Sequence, residues 1–266
     1  MSLVGRLVAA IALVLLSAPS WAQLSYFVLI DADNDGATGC AATLPATGTL
    51  AGIERRLTAT VSETSPLQVT RLTLESCTGS GFAAPVSLPG TPYPVGLNNG
   101  VGGTDVIEQA VDVRAITALG TRVRLYFAAQ GPAGSDLLGS ANDSPIVFYI
   151  QFGPVDIPLL SGGGFLVLAL LLFVIVFRQR SRFPAGMTVV VLVGVLAGVA
   201  WAAGFRLDGQ VGDWQGISAI GSDAPGDSAS NTDIITVFAA QEGGNLFFRI
   251  DIANAEAPPS PNQPPV

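Results

Sequence analysis

The sequence predicts an all-β extracytoplasmic sandwich joined to two transmembrane α-helices and preceded by a signal peptide. Three observations carry this. Charge-free apolar stretches occupy residues 7–16, 159–177 and 187–205. Elsewhere, apolar and polar residues alternate and are interrupted by Gly, Pro, Asn and Asp, the pattern of half-buried strands and turns. Charged residues make up only 12% of the chain, about half of what a soluble domain carries, which points to a membrane-associated protein.

Residues 1–22 read as a signal peptide. Arg6 precedes the first apolar stretch, and Ser17-Ala18-Pro19-Ser20-Trp21-Ala22 closes it. A basic start, a short apolar core and a small-x-small end before Gln23 form a cleavage pattern. The apolar core is too short to span a bilayer comfortably, so cleavage is favoured over a third membrane helix.

Residues 23–155 read as the main β segment. Strands are expected at 25–30, 57–62, 68–75, 111–116, 122–128 and 146–152, with a long Pro- and Gly-rich loop over 85–103. Val123, Leu125 and Phe127 face one side of their strand, and Arg122, Arg124 and Tyr126 the other. An antiparallel sandwich fits this composition. Cys40 and Cys77 are the only cysteines. In an oxidising compartment a disulfide between them is the default; two unpaired buried thiols are the alternative.

Residues 156–182 and 183–205 contain the two expected spans. About 20 apolar residues rising about 1.5 Å each cross a hydrocarbon core of about 30 Å. Neither stretch has the polar face of a surface helix. Arg178, Arg180 and Arg182 lie between them, whereas all 20 acidic residues fall within 31–156 or 208–256. The positive-inside rule puts the Arg loop in the cytoplasm. Both β segments then lie outside the inner membrane of a Gram-negative-type cell, in the periplasm or at the surface, with the lipid bilayer as a partner.

Residues 206–257 offer a hairpin, with strands at 234–240 and 245–252 around Gln241-Glu242-Gly243-Gly244. A lone hairpin is marginal in water. It is therefore expected to complete the N-terminal sandwich. Residues 258–266 form a Pro-rich extended tail.

Composition limits the chemistry. The net charge is -8 and the chain has neither His nor Lys. His-based triads, His-ligated zinc and Schiff-base lysines are excluded, and a non-enzymatic protein is expected. The acidic balance argues against nucleic acid as a partner. Two acidic runs suggest Ca²⁺. Asp31-Ala32-Asp33-Asn34-Asp35-Gly36 has alternating carboxylates with Gly at the sixth position, like the start of a calcium loop, but Ala42 stands where an EF-hand has Glu. Asp223, Asp227 and Asp233 cluster in a second loop. A solvated acidic turn is the other reading of each. Nothing in the pattern separates catalytic carboxylates from turn carboxylates.

Ile157, Pro158, Leu159, Leu160, Ser161 and Gly162, followed by an apolar stretch and then Arg178 and Arg180, resemble an exosortase sorting signal. The motif is similar to the Ile-Pro-Thr-Leu signal read by the exosortase H class, with Leu159 in place of Thr. Such signals normally end a protein. Here a second apolar stretch and a tail follow, which resembles the family of proteins cut mid-chain by exosortase H. The resemblance covers nearly the whole chain. It implies an envelope or surface protein whose partner is an exosortase-type membrane peptidase. An uncut two-helix protein displaying a carbohydrate- or calcium-binding sandwich is the rival.

Asp208-Gly209-x-x-x-Asp213-Trp214, Asp233-Ile234 and residues 245–251 resemble the opening of carbohydrate-binding or DOMON-like sandwiches. In those a strand similar to residues 26–34 comes next, so the order here is circularly permuted. The resemblance implies carbohydrate as a ligand, although a core anchor is favoured over ligand stacking for Trp214. On the permuted arrangement Asp31 and Asp33 are expected to converge with Asp227 or Asp233 on one Ca²⁺.

Overall fold

Tyr26, Val28 and Ile30 alternate with Phe27 and Leu29, so one short strand carries two apolar faces. Such a strand must be covered on both sides. The computed structural model, which describes residues 23–44, 48–62, 64–116, 122–139, 145–151 and 204–256, provides a cover for each face. The expected signal peptide, the motif at residues 157–162, most of the two expected spans and the Pro-rich tail lie outside the described residues. Among the described residues no helix is long and apolar enough to cross a membrane.

The chain is all-β. It runs through β1 (Leu24–Asp31), β2 (Cys40–Leu44), β3 (Gly48–Ile53), β4 (Arg55–Val61), β5 (Gln68–Ser76), β6 (Val86–Ser87) and β7 (Tyr93–Pro94). Then follow β8 (Asp105–Asp112), β9 (Arg122–Gly131), β10 (Gly134–Leu138), β11 (Ile146–Tyr149), β12 (Gly221–Ser222), β13 (Ile234–Glu242) and β14 (Asn245–Ile252). The large sheet has the order β10-β9-β1-β4-β5-β6, with β11 also on β9 and β7 also on β5. The second sheet has the order β12-β13-β14-β8, and β2 with β3 forms a separate ribbon. All the strand pairs are antiparallel.

Period-two alternation explains the layers. Tyr26, Val28 and Ile30, with Val123, Leu125 and Phe127, meet Ile107, Val237, Leu246, Phe248 and Ile250 of the second sheet. Phe127 and Phe248 meet edge to face across this core, with centroids 6.2 Å apart. On the opposite face Phe27, Leu29, Tyr126 and Ala128 pack under Ala42, Leu44, Leu50 and Ile53 of the ribbon. Cys40 and Cys77 are bonded, with Cα atoms 5.5 Å apart, and so tie the ribbon to the end of β5.

The tail hairpin forms as expected. Gly243 and Gly244 both take positive φ, 55° and 81°, as a tight two-residue turn requires. β14 pairs residue for residue with β8, from Asn245↔Asp112 to Ile252↔Asp105, while β1 is flanked by β4 and β9. The hairpin therefore joins the N-terminal segment through β8 and faces β1 across the core.

Two expectations are corrected. The strand expected at 111–116 lies earlier, at Asp105–Asp112, and Val113–Ile116 is a helical turn. Phe205, expected at the end of the second span, instead stacks on Phe247 at 4.9 Å on the outer face of the second sheet.

Candidate metal centres

β1 ends at Asp31, and the chain then curls through Asp33, Asn34 and Asp35. The Asp35 N–H donates to Asp31 Oδ1 and Asp33 Oδ1, each at 3.0 Å. Asn34 takes φ 58° to make this turn, a conformation Asn tolerates. The missing acid of the calcium-loop pattern comes from Glu54, at the corner between β3 and β4. Its Oε2 accepts the Ala32 N–H at 2.7 Å. Asp31, Asp33 and Glu54 bring one carboxylate oxygen each within 4.8 Å of one another. The Thr38 hydroxyl, with one proton, faces Asp33 Oδ2, Glu54 Oε1 and the Asp35 carbonyl. Asp31 Oδ2 and Asn34 Oδ1 are buried without a hydrogen-bond partner. Burial first, and Glu54 second, push the Asp31 carboxyl up to about 6, against the pull of Arg124. Glycine permits the close packing here: Gly52 has φ +82°, and a Cβ on it would sit 2.6 Å from the Gly36 Cα.

The second group joins distant parts of the sequence. Asp136 on β10 lies with Asp227 and Asp233, which precede β13, again within 4.8 Å oxygen to oxygen. Asp136 Oδ2 accepts the Ile234 N–H and its Oδ1 the Leu137 N–H, both at 2.7 Å. Asp233 Oδ2 accepts the Gly226 N–H at 2.8 Å. Burial raises the Asp136 carboxyl to about 6, and Asp227 and Asp223 add to the rise. Asp233 is raised too, by burial and then by Asp227 and Asp223, while the Gly226 N–H opposes.

The expected convergence of Asp31 and Asp33 with Asp227 or Asp233 does not occur. Asp31 is at the last position of β1, whereas Asp136 pairs with Ala129, which pairs with Tyr26. Five residues of strand separate these levels, roughly 17 Å at about 3.3 Å per residue. Two separate groups result. Asp35 and Asp223 stand outside both: Asp35 Oδ1 accepts the Ala37 N–H and Asp223 Oδ1 the Ala224 N–H. Glu54 and Asp136 were not legible as partners, because strand pairing, not local spacing, brings them in.

The Asp208-Gly209-x-x-x-Asp213-Trp214 run is a structural clamp. Glu108 of β8, 1% exposed, accepts the N–H groups of Asp208 (3.0 Å) and Gly209 (2.8 Å) at Oε2 and the Trp214 Nε1–H (2.7 Å) at Oε1. Trp214 is 3% exposed and packs on Phe205 at 4.8 Å and Phe238 at 6.2 Å. Its ring presents no open face to a sugar. Burial raises the Glu108 carboxyl to about 7, and the three donors counter that rise.

Comparison of the chain with protein-family models, curated proteins and solved structures finds no match. The functional reading therefore rests on the residues themselves.

Proposed function

We propose that this chain is a non-enzymatic envelope protein, exported and then cut mid-chain by an exosortase-type membrane peptidase. The motif from Ile157 to Gly162, the apolar stretch after it and the Arg178–Arg182 cluster supply the recognition signal; the peptidase supplies the nucleophile. One observation carries the reading furthest. β14 pairs along its whole length with β8, so residues 23–151 and 204–256 must share a compartment. Two apolar stretches of spanning length lie between them, and two crossings return the chain to the side it left. This supports a single outer module, circularly permuted relative to the sandwiches it resembles, with the signal inserted between its halves. Because the ladder does not depend on the peptide bonds between the halves, a cut at the motif leaves its pairing in place and need not separate them at once.

Immunoblots of cells containing the peptidase test the reading. Pro158→Ala should accumulate full-length chain, and equal processing of variant and wild type would sink it.

The second reading is an uncut two-helix membrane protein that displays the sandwich as a calcium-binding module. The group of Asp31, Asp33 and Glu54 favours it, since buried Asp31 Oδ2 and Asn34 Oδ1 lack donors. Intact mass measured with and without the exosortase separates the two readings.

A further inference from the structure

We propose that Asp136, Asp227 and Asp233 bind a hard divalent cation of the Ca²⁺ class, and that the bound cation clasps the C-terminal segment to the N-terminal one. Asp136 stands on β10, before residues 152–203, and the other two ligands lie after them. The site is thus built from both sides of the proposed cut. The clasp between cut pieces rests on the processing reading; the cation site does not.

Charge balance is the first argument. Three carboxylates bring oxygens within 4.8 Å of one another. At that spacing they repel unless a proton or a cation lies between them. Asp227 and Asp223, both acidic, act on Asp136 and on Asp233 and raise both carboxyls. The other acidic group differs, because Arg124 faces Asp31 there.

An orphaned oxygen is the second, independent argument. Asp233 is 2% exposed, and its Oδ1 is buried without a hydrogen-bond partner. Leaving such an acceptor unmatched is costly. Cation coordination uses that lone pair without needing a donor hydrogen. The neighbouring oxygens are already fixed, Asp136 by the Ile234 and Leu137 N–H groups and Asp233 Oδ2 by Gly226. An all-oxygen ligand set on a loop suits Ca²⁺, whose remaining positions fall to water.

The cation site is tested on the full chain, stripped with a chelator and titrated with CaCl2 by calorimetry. Extracellular calcium modules bind at roughly 0.1–1 mM, and wild type should bind in that range. Asp227 is exposed, so Asp227→Asn leaves the fold intact and should weaken this event by roughly tenfold or more. Asp112→Asn, at an exposed acid outside both acidic groups, should leave it unchanged. No binding by wild type at about 10 mM CaCl2, or equal binding by Asp227→Asn, overturns the site.

The clasp is tested separately, with no exosortase present. A site-specific protease sequence is inserted between Gly153 and Pro154 of the full chain, which is then cut and immobilised by one piece. At Ca²⁺ about 100 times above Kd, the dissociation constant of the pieces should fall about 100-fold relative to chelator. For Asp227→Asn, with affinity about tenfold lower, the fall at the same Ca²⁺ should shrink to about 10-fold. Equal release of the wild-type pieces in Ca²⁺ and in chelator overturns the clasp, whatever the fate of the processing reading.

Discussion

Replacing Glu108 with Gln asks which of two opposing effects sets the charge of a buried carboxyl. Glu108 is 1% exposed, and burial disfavours its ionised form. Three N–H donors favour that form. Burial wins, and the carboxyl rises from 4.5 to about 7. At about 1.4 kcal/mol per tenfold change, the rise amounts to about 3 kcal/mol. The folded protein keeps this proton to about pH 7, whereas the unfolded chain releases it near 4.5. Between those values the folded state binds more protons, so stability falls as pH rises. The contribution is fully present below the unfolded value and is lost above the folded one. Gln does not titrate. It also loses an acceptor for one buried N–H, at about 1–3 kcal/mol, but that cost is the same at every pH. Urea unfolding of both chains in chelator, followed by circular dichroism from pH 4.5 to 8, reads the difference. Wild-type stability minus Glu108→Gln stability should fall by about 3 kcal/mol across the window. Asp31 and Asp136 also titrate late, but they are common to both chains and cancel. A pH-independent difference would refute the reasoning. A difference that grows with pH would show that the three donors outweigh burial.

Two other outcomes are expected. Ser181→Cys, between the two apolar stretches, should react with a membrane-impermeant thiol reagent only after the inner membrane is permeabilised; labelling of intact cells overturns the cytoplasmic loop. Replacing Cys40 and Cys77 together with Ser opens a loop of sequence separation 37 and should cost about 4 kcal/mol in urea unfolding on the chain-entropy relation; a cost under about 1 kcal/mol would show that the unfolded chain does not exploit the freedom.

Strands with clean alternation were legible from sequence. β1, β9 and β14 place mostly Val, Ile, Leu and Phe on the core face at every second position, and β13 does so with one bulge after Ile234. β8 was misplaced because three of its buried positions are polar and interrupt the apolar ones, Val106, Ile107 and Val111. Asp105, Glu108 and Gln109 are all buried, and each serves a distant partner: Asp105 accepts the Ala255 N–H, Glu108 clamps the 208–214 run, and Gln109 Nε2 donates to the Tyr26 carbonyl. Clean alternation is lost where buried acceptors and donors stand among the apolar residues on both faces of one strand. The β2–β3 ribbon was missed for a related reason, since its Ala, Thr and Gly residues carry little apolar signal. At the acidic groups, local spacing revealed Asp31, Asp33, Asp227 and Asp233. Glu54 and Asp136 were invisible because each enters through the pairing of strands far apart in sequence.

That pairing also makes each half of the module incomplete by itself. Among the described residues β8 has one full-length neighbour, β14, so removing the tail would leave a buried polar strand with an open ladder. The tail would keep only β13 and β14 with the two-residue β12, little more than a hairpin, which is marginal in water, and Phe248 and Ile250 would be uncovered. Side-chain bonds between the halves lie at several levels of the sandwich: Tyr26 OH to the Asn231 carbonyl, Asp136 to the Ile234 N–H, Asp251 Oδ2 to the Val101 N–H, and Asp105 to Ala255. None of them depends on the peptide bonds of residues 152–203. Those residues contribute proximity, a high effective concentration of one half beside the other. A cut there removes proximity and leaves the ladder, the core and the bridging carboxylates in place. Release of the tail then becomes a dissociation equilibrium, sensitive to dilution and, on the cation proposal, to Ca²⁺.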